Sequence, residues 1–372
     1  MIRSLLIAVC LTSILSAKEV EMSFENSNFT LLAPLDSKGN KELLNYNRFR
    51  LTGHIRNENW FATAIGDIEN YIGKEHINST SLKLASSISS DTPFSTQSNT
   101  NNYNDGEYYA QLYRLYAGYA NEKHRISFGL QKVSMGVGRI WNPTDLFNPK
   151  NPLALEPDEV LGAFSLFYTY SPSELSEITI VGAKRADKSF KYAGRIKGYL
   201  EFLDVALNII DAKDVTMVGY ELEGELFNSG IELRSEGGWF DDKLLNKKYF
   251  QGAVGADYAF SNSLILTSEW LYSSKTFEEE FMLRPSGTAN NLVSAHNYFG
   301  LNLAYQFDAL LFGSLSSIVN IDDRSSYITP TLSYSFNDDT VIKIGTMLYS
   351  GKSDSEFGDY RQTYYLNINV TF

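Results

Sequence analysis

The residues that could carry chemistry are carboxylates and bases placed at every second position of several segments. Glu221, Glu223 and Glu225 follow one another at this spacing. Alternate residues of a β-strand face the same side, so these three carboxylates would share one face. Three charges on one strand face cannot lie in lipid, so that face must be hydrated. The pattern predicts a strand that borders water.

The predicted hydrated faces carry opposite charges in different parts of the chain. Earlier strands contribute bases, which are Arg114, Arg125, Arg185, Lys191, Arg195 and Lys197. Middle strands contribute acids, which are Glu221, Glu223, Glu225, Glu232, Glu236, Asp257 and Glu269. Two walls of opposite sign around a pore would set a transverse field that orients dipolar solutes. The alternative is that these charges pair with their neighbours and only hydrate the interior.

Catalytic and metal-binding groups are sparse. The chain has one cysteine, Cys10, and four histidines, which are His54, His76, His124 and His296. No histidine accompanies a nucleophile motif, and metal-ligand spacing is absent. We therefore expect no enzyme and no cofactor. Acidic surface loops at Glu278–Glu280, Asp322–Asp323 and 354–359 are either solvated or bind Ca²⁺ or Mg²⁺.

The elements that must position these charges are antiparallel strands. At the end of the chain, Tyr364, Leu366, Ile368, Val370 and Phe372 alternate with polar residues. The same alternation recurs upstream in hairpins, and no run of ~18 apolar residues follows residue 17. The pattern predicts an all-β fold, an antiparallel transmembrane β-barrel. An even strand number and the chain length favour 16 or 18 strands, with a long folded loop.

The chain divides into three predicted regions. Residues 1–17 combine Arg3 with an apolar run and predict a signal peptide, with a lipoprotein signal at Cys10 as the weaker alternative. Residues 18–43 are expected to form a periplasmic N-terminal segment, and residues 44–372 the barrel. Residues 44–71 form either one long strand or a hairpin, and residues 78–90 add a possible strand.

A proline-rich segment over about 136–161 is too apolar for a loop in water and cannot be a strand. Four of the nine prolines lie in it, and Asp145 can accept N–H bonds within its turns. We expect it to fold into the barrel and form a constriction, although a cap on the rim is the alternative. The predicted constriction residues are Arg139, Trp141, Asn142, Pro143, Asp145, Phe147, Asn148 and Pro149.

The stretch from Gly129 to Pro149 resembles a segment of porin-like outer-membrane barrels of Gram-negative bacteria. The residues that match are Gln131, Gly136, Asn142, Pro143, Asp145, Asn148 and Pro149. Leu130 and Met135 depart from the pattern, where Arg and Trp are usual. The resemblance, to porins and to alginate-export-type barrels, implies a barrel with a pore and does not identify a solute. A terminal Phe372 that closes an alternating strand also resembles the assembly signal of such barrels.

Charge and pattern together predict a passive outer-membrane channel for small hydrophilic solutes or ions. The net charge of −12 argues against a nucleic-acid partner. The expected partners are outer-membrane lipid, lipopolysaccharide and the outer-membrane assembly machinery, with a homotrimer as a further possibility. The acidic excess predicts mild cation preference. The alternatives are a plugged, structural or adhesive barrel, or a polysaccharide-export barrel.

Overall fold

A computed structural model describes residues 19–34, 41–73, 90–277 and 293–372. The predicted signal peptide, the loop Glu278–Glu280 and the possible strand at 78–90, apart from residue 90, lie outside the described residues. Within the described ranges, no helix is long and apolar enough to cross a membrane.

The described residues form a closed antiparallel barrel of 18 strands. A nineteenth strand, β4, has three residues and pairs only with β5. Each barrel strand pairs with its neighbours in the chain, and β1 closes the ring by pairing with both β2 and β19. The expected barrel is therefore confirmed, and the strand number is the larger of the two predicted.

The strands are β1 (Glu19–Pro34), β2 (Lys41–Asn57), β3 (Trp60–Ile72), β4 (Asn101–Tyr103), β5 (Gly106–Ala120), β6 (His124–Gln131), β7 (Ala163–Ser173), β8 (Ser176–Lys184), β9 (Phe190–Leu200), β10 (Leu203–Ala212), β11 (Val215–Glu225), β12 (Ile231–Asp242), β13 (Lys247–Ala259), β14 (Leu264–Ser273), β15 (Asn297–Gln306), β16 (Leu311–Asn320), β17 (Ser325–Asn337), β18 (Thr340–Ser350) and β19 (Thr363–Thr371).

Alternation along each strand separates an outer apolar face from an inner face. On β12, Trp239 is exposed on the outer face, whereas Glu236 and Phe240 are buried inside the ring. The same two-residue period places Val254 outside and Ala253 inside on β13. Apolar side chains therefore cover the outside, as a barrel in lipid requires.

The predicted periplasmic segment over 18–43 is wrong for its described residues. Residues 19–34 form β1, a full strand of the barrel wall, and β2 begins at Lys41. The outer face of β1 carries asparagines: Asn26 donates to Asn47 at 2.8 Å, and Asn28 and Asn45 exchange two bonds at 3.2 and 3.1 Å. These polar residues on the outer face break the apolar alternation by which a strand is recognised in a sequence.

The ambiguous stretch at 44–71 is a hairpin. β2 ends at Asn57 and β3 begins at Trp60, with Glu58 in a left-handed conformation at a φ of 52°. The two-residue turn changes which parity faces inward. Phe49 is exposed on the outer face of β2, whereas Phe61 lies under the guanidinium of Arg125 inside the barrel.

Candidate functional site

The connection from β6 to β7, residues 132–162, folds into the barrel; we call it the inner loop. Its apolar side chains pack against inward residues of the wall rather than meeting water. Val133, Met135, Leu146 and Phe147 belong to one buried cluster with residues of β8 to β13. Ile140 belongs to a second cluster, which includes inward residues of β13 to β18, and Leu155 packs against this cluster and a third on β1 and β2.

Glu236, on β12, holds the first part of the inner loop. Its carboxylate accepts backbone N–H bonds from Val137 at 2.5 Å, from Gly138 at 2.9 Å and from Thr144 at 3.2 Å. The hydroxyl of Thr144 donates to it as well, at 3.2 Å. The side chain is buried, so these donors replace the water that a carboxylate otherwise requires.

Glu269 on β14 and Glu221 on β11 also accept backbone N–H bonds from the inner loop. Glu269 accepts from the N–H groups of Arg139 at 2.5 Å, Ile140 at 2.8 Å and Trp141 at 3.0 Å. Glu221 accepts from the N–H of Gly136 at 3.1 Å. We call Glu221, Glu236 and Glu269 the anchor carboxylates. They face inward as predicted, but they are 1–2 % exposed and bind the loop instead of lining a water-filled passage.

Gly136 is required where the inner loop meets these carboxylates. Its φ is +87°, which L side chains rarely adopt, and a Cβ atom there would collide with the carboxylate of Glu236. The glycine therefore allows the backbone to approach the wall closely enough for its N–H groups to donate.

Turns stabilise the middle of the inner loop from within. Asp145 accepts from the N–H groups of Phe147 at 2.9 Å and Asn148 at 2.8 Å, as expected from its position between prolines. Asn148 accepts from the N–H of Val133 at 2.6 Å. The ammonium of Lys191, buried on β9, donates to the carbonyl of Leu146 at 2.6 Å. Lys191 therefore supports the loop and does not face the lumen.

The last part of the inner loop is held by arginines on the opposite wall. Arg48, on β2, pairs with Glu156 at 2.8 Å, and Arg50 pairs with Glu159 at 2.9 Å. Arg114, on β5, donates to the carbonyl of Val160 at 2.5 Å. In the ring, β12 lies halfway round from β2. The inner loop therefore crosses the lumen, with hydrogen bonds to the wall at both ends.

Arg139 lies at the water-facing edge of this crossing. Its side chain is 52 % exposed and lies within 3.4–3.7 Å of Glu223, Glu232 and Asp257. We call these four residues the constriction cluster. On the adjoining wall, the buried Arg234 pairs with Asp257 and lies 3.6 Å from Glu269. Three carboxylates therefore stand against the exposed guanidinium of Arg139 and the buried one of Arg234, so this side of the constriction carries one net negative charge.

The remaining predicted residues are engaged by neighbouring residues of the wall or its turns. Arg195 pairs with Glu221 at 2.6 Å and with Glu177 at 3.2 Å, and Lys197 pairs with Asp204 at 2.7 Å. Glu225 accepts from the N–H of Gly230 in a turn.

The prediction for Arg185 is wrong, and the predicted constriction residues lie in the inner loop. Arg185 is buried between Asp91 and Asp214, at 2.6 and 2.5 Å, and joins surface loops instead of lining the lumen. Trp141 lies in the inner loop against Tyr298 of β15, with ring centroids 6.2 Å apart. Asn142 and Pro143 are buried beside Thr144, and Pro149 follows Asn148 at the end of the next turn.

Sequence reasoning missed Arg48, Arg50 and Arg234. Arg48 and Arg50 alternate with Phe49 and Leu51, so the strand pattern contained the signal once the hairpin at 58–59 was recognised. Arg234 stands between Glu232 and Glu236 with the same parity. A β-bulge on β5 places both Tyr113 and Arg114 inside the barrel. The guanidinium groups of Arg50 and Arg114 stack on the ring of Tyr113, at 4.0 and 3.9 Å from its centroid.

No family model matches the chain, and no curated protein matches it. The fold is similar to solved outer-membrane protein structures. OccAB4 of Acinetobacter baumannii is 12 % identical, with a TM-score of 0.61 over 96 % of this chain and 98 % of that one. OccK5 (OpdH) of Pseudomonas aeruginosa is 10 % identical, with a TM-score of 0.59 over 96 % and 99 %. The outer membrane protein opdK of the same organism is 9 % identical, with a TM-score of 0.58 over 96 % and 99 %. The chain therefore has the barrel fold of these proteins.

Proposed function

We propose that the chain is a bacterial outer-membrane channel for passive diffusion of small hydrophilic solutes or ions. One observation carries the proposal: the inner loop crosses an 18-stranded barrel and places the half-exposed Arg139 among carboxylates at a constriction. Barrels of this size leave an aqueous lumen unless a segment narrows it. The similar fold of outer-membrane proteins supports the location and the expectation that the chain is a channel and not an enzyme.

The charges at the constriction support selection among polar solutes. Three carboxylates of the constriction cluster face the exposed Arg139 and the buried Arg234, which leaves one net negative charge. The arginines of the opposite wall are paired with Glu156 and Glu159 of the loop. Charged groups in a narrow passage act through little intervening water, so they attract counter-ions more strongly than surface charges do. We propose that the constriction favours cations mildly and admits solutes that carry both signs.

Conductance in planar bilayers tests the proposal. The refolded mature chain is expected to give long-lived stepwise currents in KCl, and the reversal potential in a KCl gradient should show cation preference. An anion-selective current would contradict the acidic constriction, although it would still show that the chain forms a pore. The absence of steps from a heat-modifiable, folded barrel would contradict the channel and favour the plugged or structural alternative.

The partners are part of the proposal. The outer apolar surface supports contact with lipid, and we retain lipopolysaccharide, the assembly machinery and a homotrimer as predictions. The backbone of Phe372 exchanges two hydrogen bonds with that of Phe24 on β1, at 2.8 and 3.1 Å, at the seam where the barrel closes. Its role as an assembly signal stays a prediction.

Divalent cations at the acidic loops remain a prediction as well. In the part of the chain that the structure describes, no group of three or more histidine, cysteine or acidic residues is arranged to hold a metal. Asp322 and Asp323 accept backbone N–H bonds from His296 at 2.6 Å and from Ser325 at 2.7 Å, respectively.

A further inference from the structure

A second charged region lies inside the barrel, away from the constriction cluster. It is a cavity of about 280 Å³ between inward residues of β2, β3, β5, β6 and β7 and the start of the inner loop. Its cationic lining residues are Arg114, Arg125 and Lys132, with His54 at one side. None of the residues that line it is acidic.

Within the part of the chain that the structure describes, the three cations of this cavity form no ion pair, although Glu159 attracts Arg114 from beyond ion-pair distance. Among the described residues, no Asp or Glu lies within ion-pair distance of Arg114, Arg125 or Lys132, although most other bases inside the barrel are paired. The guanidinium of Arg114 is buried and donates only to carbonyl groups, those of Tyr113 at 2.7 Å and Val160 at 2.5 Å. Arg125 and Lys132 are exposed, so their charges are open to a solute in the lumen, whereas only Arg114 is withdrawn from water.

The remaining lining is mixed: Thr63, Ser127 and Gln131 contribute polar groups, and the other residues are apolar or aromatic. Tyr116 and Phe167 line the cavity together with Ile65. Such a wall is suited to the body of a small organic molecule rather than to a bare ion. The guanidinium of Arg125 lies 4.5 Å from the ring of Phe61, which orients it without neutralising it.

The charge of the cavity indicates the class of anion. One carboxylate would neutralise only one of three cations. A phosphoryl group carries about −1.5 to −2 charges at pH 7 and three acceptor oxygens, and guanidinium groups bind it through paired hydrogen bonds. We propose that this cavity, which we call the phosphoryl subsite, binds the phosphoryl group of a small phosphomonoester or of inorganic phosphate. The proposal deepens the proposed channel function, since the subsite lies inside the lumen.

Channel block by phenyl phosphate, benzoate and inorganic phosphate tests the proposal. Phenyl phosphate is expected to interrupt the KCl current at lower concentration than benzoate, which has the same ring and one charge. Inorganic phosphate shows whether the organic part of the ligand contributes. Block by inorganic phosphate at the same concentration as phenyl phosphate would assign the affinity to the phosphoryl group alone. Block by benzoate at the same concentration as phenyl phosphate would overturn the assignment to a phosphoryl group.

Charge-removing variants locate the binding. Arg125→Gln and Lys132→Gln are each expected to raise the half-blocking concentration of phenyl phosphate about tenfold, the effect of losing one charge-assisted hydrogen bond. Lys248→Gln is the matched control, because Lys248 is 80 % exposed and pairs with Asp241 outside the cavity. Equal effects of all three substitutions would contradict a local subsite.

Calorimetric titration of the refolded barrel in detergent with phenyl phosphate separates the two proposals. Binding that weakens in Arg125→Gln, from a protein that conducts no KCl current, would support the subsite and contradict the channel. A normal KCl current with neither block nor heat of binding would overturn the subsite and leave the channel.

Discussion

At the scale of single residues, Arg139 is a cation held loosely among acids. Its distances to three carboxylates are all 3.4 Å or longer, and half of its side chain is exposed. Its charge therefore offsets the acidity of the passage without fixing the geometry of the wall. The backbone N–H of the same residue, by contrast, is held by Glu269. The two functions can be separated by substitution of the side chain.

Arg139→Gln should make the channel more cation-selective. A unit charge about 7 Å from a passing ion in water is worth roughly 0.6 kcal/mol, and its removal favours a cation and disfavours an anion by this amount. We therefore expect the cation-to-anion permeability ratio to rise about sevenfold. The reversal potential in a KCl gradient measures this ratio, with Lys248→Gln as the control for loss of one positive charge. An unchanged potential in Arg139→Gln would show that the ion path does not pass Arg139.

Asp145 gives the inner loop a predictable pH dependence. Burial raises the pKa of its carboxyl from 3.8 to about 6, although the N–H groups of Asn148, Phe147 and Met135 oppose this shift. The docked loop therefore binds a proton more tightly than a released loop does. The contribution of Asp145 to docking is fully present below pH 3.8 and is lost as the pH rises through about 6.

Asp145→Asn should remove this pH-dependent contribution to docking of the inner loop. The amide oxygen can still accept from Phe147 and Asn148, so the turn is expected to persist. Open-channel current noise, which reports loop motion, should rise between pH 4 and pH 6.5 more steeply in the wild type than in Asp145→Asn. Identical pH profiles would mean that the loop is insensitive to this carboxyl group.

At the scale of elements, the inner loop depends on the wall more than on its own turns. The anchor carboxylates accept seven backbone N–H bonds from residues 136–144, donated from Gly136, Val137, Gly138, Arg139, Ile140, Trp141 and Thr144. Hydrogen bonds to a charged acceptor contribute about 1.5–3 kcal/mol each. The position of the constriction is therefore set largely by strands β11, β12 and β14.

Glu236→Ala should release this part of the loop, because three N–H groups and the Thr144 hydroxyl lose their acceptor. We expect a larger and noisier single-channel conductance, and trypsin cleavage after Arg139 at least tenfold faster, as the loss of about 1.4 kcal/mol of docking energy would give. Glu236→Gln retains one acceptor oxygen and should give an intermediate result.

The exposed Glu122, in the turn between β5 and β6, supplies the control Glu122→Gln. Wild-type conductance and protease resistance in Glu236→Ala would show that apolar packing alone holds the loop.

At the scale of the whole molecule, much of the architecture follows from period-two alternation. The hairpins from β5 to β19 were predictable because outward apolar residues, such as Leu366 and Ile368, alternate with polar inward ones such as Asn367. β1 was missed because Asn26 and Asn28 occupy outer positions, where lipid contact predicts apolar residues. Alternation reports the face of a side chain only when the two faces differ in polarity.

The sequence predicted which way the side chains of the candidate site face, but not what they bind. Parity correctly placed Glu221, Glu236 and Glu269 inside, yet it could not show that the backbone of the inner loop would occupy them. That contact joins residues 85–130 positions apart, and no local pattern encodes such a pairing. The same holds for Arg48 and Glu156, which lie 108 positions apart.

These long separations also impose an order of events on folding. The N–H groups of residues 139–141 have no acceptor on the wall until β14 and its Glu269 have joined the sheet, 130 positions after Arg139. Contacts so distant in sequence form late, because the entropy of closing the intervening chain is lost before they contribute. The wall from β6 to β14 must therefore assemble before the inner loop has all of its hydrogen bonds to the wall. The constriction therefore forms only after β14 has paired, and before that point the assembling wall surrounds a wider opening than in the finished barrel.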